Sequence, residues 1–200
     1  MSWLELLGAA TGLWSVWLLA RERVAGFPIG IVSVVLLAAL FFQLALYADM
    51  FLQGYFFVTC FYGWHTWLHP HATQSNQQQK LIVRTLPKKT WLWLVPSIFI
   101  TTQILSYATS HLHIWWPKYF VVPASWPLTN AFMMAVSLAA EWILAQKYLE
   151  NWYMWLVVDI IATYVYFQSG TIVLSLEYLA FTIISIQGIR KWRVSLQVSQ

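Results

Sequence analysis

The sequence predicts an all-α membrane protein with seven transmembrane helices, arranged as three helices, one linker helix and three further helices. The first supporting observation is composition. Of the 200 residues, 60% are hydrophobic and 9% are charged, whereas a soluble domain carries about 25% charged residues. The other two observations are an internal repeat and a one-sided distribution of Lys and Arg. Together they indicate a chain whose main solvent is lipid.

Seven segments are long and apolar enough to cross a bilayer, which takes about 20 residues of α-helix. They cover about 3–20, 28–46, 50–68, 91–110, 128–146, 152–169 and 171–189. We predict helices because helices satisfy their own backbone polar groups inside lipid. Short connections are predicted at 47–49 and 169–170, and a long polar loop at 69–90. Residues 111–127 are rich in Trp and Pro, and we expect them to form an ordered turn in the membrane interface.

The two halves of the chain resemble each other at a fixed offset. When residues 13–67 are shifted by 125 positions without a gap, landmark residues fall on identical partners. These are Trp17 on Trp142, Ala20 on Ala145, Gly63 on Gly188 and Trp67 on Trp192. The odd linker helix would make the two halves parallel, an arrangement that some transporters use to hold substrate at the repeat interface.

This repeat divides the chain into four regions. Residues 1–68 form the first three-helix repeat, and 69–127 hold the polar loop, the linker helix and the interfacial segment. Residues 128–192 form the second three-helix repeat, and 193–200 are predicted to be a cytoplasmic tail.

The positive charges give an orientation. With seven spans, ten of the eleven Lys and Arg residues lie on one side of the membrane, and Lys118 alone lies on the other. The Lys/Arg-rich side is expected to be cytoplasmic, so the N-terminus would lie outside and the C-terminus inside. The net charge of +4 therefore indicates membrane topology, and no nucleic-acid partner is predicted.

Three acidic residues fall inside predicted spans, where an ionisable group indicates a functional site. Asp159 lies near the middle of the sixth span, Glu141 lies one turn past the centre of the fifth, and Glu177 lies in the outer half of the seventh. No Lys or Arg lies at a similar depth. The acids therefore predict a site that favours a cation. The alternative is that each acid is protonated and bonded to a neighbouring helix.

Aromatic residues accompany these acids. Trp152, Trp155, Asp159 and Tyr166 lie at spacings that place them on one helical face, and Trp142 follows Glu141. The face of a Trp ring attracts a cation by about 2 kcal/mol when the pair is desolvated. This stripe predicts a cradle for a flat, positively charged ring. The alternative for Trp152 and Trp155 is an aromatic belt at the membrane interface.

Other polar residues in the spans could bind the hydroxyls of a sugar or join helices to one another. They are Gln43, Gln53, Thr59, Thr101, Gln103, Ser137 and Thr163. His65 and His69 have the i, i+4 spacing of a metal pair but lie at a membrane exit without an acidic partner. Cys60 is the single cysteine. We predict no metal site, no cofactor and no catalytic residue.

Three stretches resemble a known family, the PnuC-type vitamin transporters. They are 46–53 with Tyr62-Gly63-Trp64 and Trp67, then 147–152 with Trp155, and 175–178 with Gly188 and Trp192. The resemblance covers nearly the whole chain. It adds Asn151 and Tyr178 to the predicted substrate-binding residues, which already include Gln53, Thr163 and the acids and aromatic residues above.

The resemblance implies facilitated uptake of nicotinamide riboside, a precursor of NAD, across the bacterial inner membrane. It also implies a fold like that of a full-length SWEET sugar transporter, a homotrimer, and trapping of the substrate by a cytoplasmic kinase. Nicotinamide riboside carries a pyridinium cation on a ribose, so the family's substrate agrees with the acids and aromatic faces.

Several alternatives follow from the same residues. Thiamine is another aromatic cation carried by relatives of this fold, and the acids do not separate it from nicotinamide riboside, although they argue against neutral riboflavin. A retinal protein would need a Lys in 171–189, which has none. A membrane enzyme would need clustered polar residues at one depth, whereas the three acids lie at three depths. A scaffold or receptor without transport remains a further alternative.

Overall fold

A computed structural model describes residues 3–43, 47–70, 81–119 and 125–198, except for the side chains of residues 47–49 and 51. The described chain is helical. Its seven helices are α1 (Trp3–Ala20), α2 (Gly26–Gln43), α3 (Tyr47–Leu68), α4 (Lys88–Trp115), α5 (Pro127–Ala145), α6 (Glu150–Gln168) and α7 (Ile172–Val198). The predicted number and order of helices are confirmed.

Several helix ends differ from the prediction because polar residues continue a helix beyond its apolar run. Residues 47–49, predicted as a connection, form the first turn of α3. Helix α4 begins at Lys88 and extends to Trp115, so it includes part of the segment predicted to be interfacial. Helix α7 continues to Val198, so residues 193–198 of the predicted tail are helical.

Five of the seven helices are long and apolar enough to span a membrane by length and composition, namely α1, α2, α4, α5 and α7. Helices α3 and α6 have 22 and 19 residues, but neither contains a continuous stretch as apolar as those of the other five. Helix α6 contains Asn151, Asp159 and Thr163, and α3 contains Gln53. The two helices that fall short are therefore among those that carry polar candidates for the site.

Six helices form a closed ring. Helix α1 packs on α2, α2 on α3, α3 on α5, α5 on α6, α6 on α7, and α7 on α1. Within the described residues, α4 packs on α5 and on no other helix. Helix α4 thus lies outside the ring, and helices α1–α3 meet helices α5–α7 at two seams, α1 with α7 and α3 with α5.

The turn between α1 and α2 recurs between α5 and α6, again at an offset of 125 residues. The Glu22 amide donates to the Leu19 carbonyl at 2.9 Å, and the Lys147 amide donates to the Leu144 carbonyl at 2.8 Å. Glu22 and Lys147 both adopt left-handed backbone angles, with φ of 58° and 61°. Three further hydrogen bonds from a backbone amide to a backbone carbonyl complete this turn, and all three recur at the same offset. In the first turn they run from Arg23 to Leu18, from Gly26 to Arg23 and from Phe27 to Val24. In the second turn they run from Tyr148 to Ile143, from Asn151 to Tyr148 and from Trp152 to Leu149.

An aromatic cluster fills the ring beside these turns. Phe27 meets Trp67 edge-to-face at 5.0 Å between ring centroids, and Trp152 meets Trp192 in the same way at 5.5 Å. Trp67 and Trp192 contact each other at 5.7 Å. We call these four residues the aromatic layer. Each residue of the first pair stands 125 positions before its counterpart in the second.

The chain just before α4 is buried, although it was predicted to belong to a polar loop. Leu81, Val83 and Leu86 are almost fully enclosed. The Arg84 amide donates to the Lys147 carbonyl at 3.1 Å, and the Arg84 carbonyl accepts from the Leu149 amide at 2.9 Å. The alternation of buried and partly exposed residues over 81–84 is that of a strand. Four residues are too short an alternation to stand out beside the Gln-rich sequence that precedes them.

Candidate functional site

Asp159 of α6 lies buried inside the helical ring, with 2% of its surface exposed. Its Oδ2 accepts a hydrogen bond of 2.8 Å from the Ser185 hydroxyl of α7. A hydroxyl solvates a carboxylate but brings no compensating charge. Residues 148–189, which include the whole of α6 and most of the apolar part of α7, contain no Lys or Arg. A buried acid in such surroundings is costly unless something else pairs with it.

Polar groups continue along α6 and α7 from Asp159. The Thr163 hydroxyl donates to the Asp159 carbonyl at 2.7 Å, and the Ser175 hydroxyl of α7 donates to the Thr163 carbonyl at 3.0 Å. Tyr166 and Tyr178 then stack at 5.3 Å between ring centroids with an interplanar angle of 22°. The structure therefore brings six polar residues together along the α6–α7 contact: Asp159, Thr163, Tyr166 and Tyr178, which were predicted, and Ser175 and Ser185, which were not.

The two tryptophans of the predicted stripe have different surroundings. Trp155 is partly buried and packs on the apolar cluster between α5 and α6, as Tyr166 and Tyr178 do. Trp152 is fully buried in the aromatic layer. Trp152 is therefore a core residue in the first turn of α6, and Trp155 is the tryptophan nearer to Asp159 along the helix.

Glu141 is also buried, with 8% exposed, but it lies in a different part of the ring. Its Oε1 lies 3.9 Å from the Sγ of Cys60 on α3. Cys60 stands 125 positions before Ser185, so each of these two buried acids meets one member of a repeat-related pair. The two acids thus occupy the α3–α5 and α6–α7 contacts of the same ring.

Trp142 lies apart from Glu141. It is 46% exposed and stacks flat on Tyr62 of α3, at 5.0 Å and 4°. Successive residues of a helix point about 100° apart, which explains why Trp142 faces outward when Glu141 faces inward.

The remaining predicted residues are spread over the ring. Asn151 is fully buried, and its Nδ2 donates to the Tyr148 carbonyl at 2.5 Å. It lies eight residues before Asp159, about 12 Å along the helix. Gln53 of α3 is buried, and Glu177 of α7 is half-buried. Ser185 and Ser175 were not predicted to belong to the site. The signal in the sequence was a Ser within an apolar helix that follows a helix with a central acid.

The described residues contain no group of three His, Cys, Asp or Glu side chains placed to hold a metal ion. The ring of His65 on α3 stacks at 4.6 Å on that of His69, just after the end of the helix, and both residues are exposed. His71 lies outside the described residues.

Comparisons with known proteins agree with this architecture. Residues 2–194 match the family described as nicotinamide mononucleotide transporter. The nicotinamide riboside transporter PnuC of Escherichia coli (strain K12) is 30% identical over 207 aligned residues, which cover 96% of this chain and 85% of that protein. The protein of the same name from Neisseria mucosa is 24% identical over 199 aligned residues, which cover 96% of this chain and 72% of that protein.

A solved structure, described as the crystal structure of the vitamin B3 transporter PnuC, has the same fold. The superposition covers all of this chain and 84% of the chain in that structure, with a TM-score of 0.73 and 22% sequence identity. The family consists of transporters, which agrees with the prediction that the chain is not an enzyme. The chain belongs to the nicotinamide mononucleotide transporter family, the PnuC-type family that its sequence resembles, and is a multi-pass protein of the inner membrane.

Proposed function

We propose that the protein takes up nicotinamide riboside across the inner membrane by facilitated diffusion. The observation that carries this proposal is Asp159, a buried carboxylate whose bonded partner is the neutral Ser185 hydroxyl. Relatives that match nearly the whole chain are named nicotinamide riboside transporters. The pyridinium of the substrate would supply a positive charge beside Asp159, where α6 and the neighbouring part of α7 have none.

The chemistry of the α6–α7 face suits the two parts of this substrate. The Asp159 carboxylate would pair with the pyridinium, and the aromatic faces of Trp155, Tyr166 and Tyr178 would contact the ring. The Thr163 hydroxyl would bind the ribose, and the Ser185 hydroxyl would hold the Asp159 carboxylate in place. Hydrogen bonds that involve a charged group contribute about 1.5–3 kcal/mol each, and a desolvated cation over an aromatic face adds about 2 kcal/mol.

Transport would proceed by rocking of two parallel repeats, 3–68 and 128–192, around the substrate. The shared turns, the equivalent aromatic pairs and the linker helix outside the ring support a 3+1+3 arrangement like that of a SWEET transporter. All seven helices would span the membrane in this arrangement. The Lys/Arg-rich side would be cytoplasmic, with the N-terminus outside and the C-terminus inside.

Two further features of the proposal come from the resemblance to the family. The protein would assemble as a homotrimer, and a cytoplasmic kinase would trap the riboside by phosphorylation. The transporter would then need no energy source of its own, because removal of the free riboside keeps its inward gradient.

Calorimetry on the purified, detergent-solubilised protein tests the substrate. We expect nicotinamide riboside to bind and neutral riboflavin not to bind. Asp159→Asn should weaken binding by about 10-fold or more, since two opposite unit charges about 4 Å apart attract by about 4 kcal/mol at an effective dielectric constant of about 20, and about 1.4 kcal/mol suffices for that factor. Glu150→Gln, the same chemical change at the start of the same helix, is the matched control and should leave affinity unchanged.

Thiamine is the alternative substrate because it presents the same kind of cation to Asp159. Binding of thiamine without the riboside would keep the site and change the substrate. Binding of neither by a folded protein, or equal affinity in wild type and Asp159→Asn, would contradict the proposal.

A further inference from the structure

The turns that join α1 to α2 and α5 to α6 hold an ion pair between repeat-related residues. The Lys147 Nζ lies 2.9 Å from the Glu22 Oε2, and the two side chains are 7% and 19% exposed. Lys147 stands 125 positions after Glu22, so each residue is the other's counterpart in the opposite half. Only residues close to the axis that relates two repeats can touch their own counterparts.

Each residue of this pair also contacts a third element. The Lys147 Nζ donates to the Leu81 carbonyl at 2.7 Å and lies 4.7 Å from the centre of the Trp67 ring. The Glu22 Oε1 accepts a hydrogen bond from the Ser195 hydroxyl on the last turns of α7. The pair thus joins both turns, the buried segment 81–87 and the end of α7 at one point.

The backbone at both residues is held in an unfavourable conformation. Left-handed angles are uncommon for residues other than Gly, and they persist where the surrounding structure over-determines them. Glu22 and Lys147 share these angles. Such conformations are concentrated at clamps and switches.

The pair lies between the ring interior and the Lys/Arg-rich side. Trp67, the α3 member of the aromatic layer, lies directly under Lys147. Glu22 and Lys147 themselves line a cavity of about 430 Å³, together with Arg21, Lys191 and Val194. Trp152 lies in the aromatic layer seven residues before Asp159, about 10 Å along α6. A substrate leaving Asp159 towards this side would have to pass the aromatic layer and the ion pair.

We propose that the Glu22–Lys147 pair is a latch that keeps the Lys/Arg-rich side of the transporter closed. The latch breaks when the two halves rock apart, because its partners belong to different halves. This inference rests on the proposed transport by two rocking repeats. Glu22 and Lys147 would thus control the gate on the Lys/Arg-rich side, whichever vitamin the protein binds.

Cys60 is a natural reporter for this gate. It is the single cysteine, it is buried, and it lies seven residues before Trp67 on α3, about 10 Å further into the ring. The protein is reconstituted in vesicles, and a charged, membrane-impermeant maleimide is added on the Lys/Arg-rich side. We expect Lys147→Gln and Glu22→Gln to be labelled at least about fivefold faster than wild type. The double variant should be no faster than the faster single variant.

Two variants serve as controls. Lys147→Arg keeps the charge and should be labelled at nearly the wild-type rate. Lys191→Gln removes a Lys from the same cavity without touching the pair and should also match wild type. All variants are first shown to be folded by size-exclusion chromatography. Wild-type labelling of folded Lys147→Gln would overturn the latch.

A second experiment covers the case in which the neutral variants do not fold. In a Cys60→Ser background, Glu22→Cys and Lys147→Cys are joined by a short bis-methanethiosulfonate, which forms a reducible disulfide with each cysteine and releases a sulfinate from each end. Uptake should fall at least about tenfold and return after reduction, and uptake that survives the cross-link would overturn the proposal. The proposed substrate and the proposed latch can fail separately. If the wild-type protein does not bind the riboside in calorimetry, the proposed substrate is wrong. The labelling rate of Cys60 is measured without any substrate and tests the latch alone.

Discussion

At the scale of single residues, the hydroxyl of Ser185 is predicted to prepare Asp159 for its ligand. Removal of the hydroxyl in Ser185→Ala leaves a buried carboxylate without its 2.8 Å donor. We expect the riboside to bind about 3- to 10-fold more weakly, since the carboxylate is then less firmly oriented. Calorimetry measures this change.

The combination with Asp159→Asn distinguishes positioning from an independent contact. If Ser185 acts through Asp159, the double variant binds no more weakly than Asp159→Asn alone, because the effects of residues that act as a unit do not add. Additive losses would mean that Ser185 binds substrate by itself. Ser185→Cys, which copies the residue at the equivalent position 60, should retain part of the affinity.

The burial of Asp159 could be predicted from the sequence, but its hydrogen-bond partner could not. An acid in the middle of an apolar run is conspicuous because its burial is costly. Ser185 is one of several small polar residues in α7, and which of them faces Asp159 depends on the rotation of α7 against α6. For the same reason Trp152 could be read as an interfacial residue or a ligand, and it lies in the aromatic layer instead.

At the scale of helices, two glycines permit the close packing of the aromatic layer. A Cβ at Gly63 would lie 2.4 Å from the Phe27 ring, and a Cβ at Gly188 would lie 2.4 Å from the Trp152 ring. Both distances are far below a normal contact, and neither ring is free to move in the filled core. Gly63→Ala and Gly188→Ala should therefore each lower the free energy of unfolding by about 1–3 kcal/mol, the usual cost of overpacking.

Gly54 on α3 is the matched control, because a Cβ there meets nothing within 4 Å. Gly54→Ala should be neutral or stabilise its helix by up to about 1 kcal/mol. Thermal unfolding of the three purified variants in the same detergent measures the difference. Equal stability of Gly188→Ala and Gly54→Ala would contradict the packing described above.

The helices themselves were predictable because long apolar runs leave few alternatives to a transmembrane helix. The segment 81–87 was not, because its buried residues are few and depend on contacts with the distant turn at Lys147. The pairing of Glu22 with Lys147 lay within reach, since the 125-residue offset relates the two positions. A repeat, however, does not by itself indicate which equivalent residues lie close to the axis between the halves.

At the scale of the whole molecule, a uniporter for a permanent cation must move charge. The pyridinium has no proton to release, and Asp159 stays with the protein, so each transport cycle carries one positive charge across the membrane. A potential of 100 mV, negative inside, contributes about 2.3 kcal/mol per charge, which corresponds to about 50-fold accumulation. We therefore expect proteoliposomes with a potassium diffusion potential to concentrate nicotinamide riboside to about that extent.

A proton gradient without a membrane potential should have no such effect, because the proposed cycle binds and releases no proton. Vesicles that contain folded Asp159→Asn, and vesicles without protein, are the controls and should show little uptake under either condition. Accumulation driven by the proton gradient would mean that Asp159 or Glu141 exchanges a proton in each cycle and that the protein is a symporter. Accumulation that ignores the potential would mean that a second ion crosses with the riboside or in exchange for it, because charges on the protein return to their starting position in every cycle and cannot cancel the charge of the substrate.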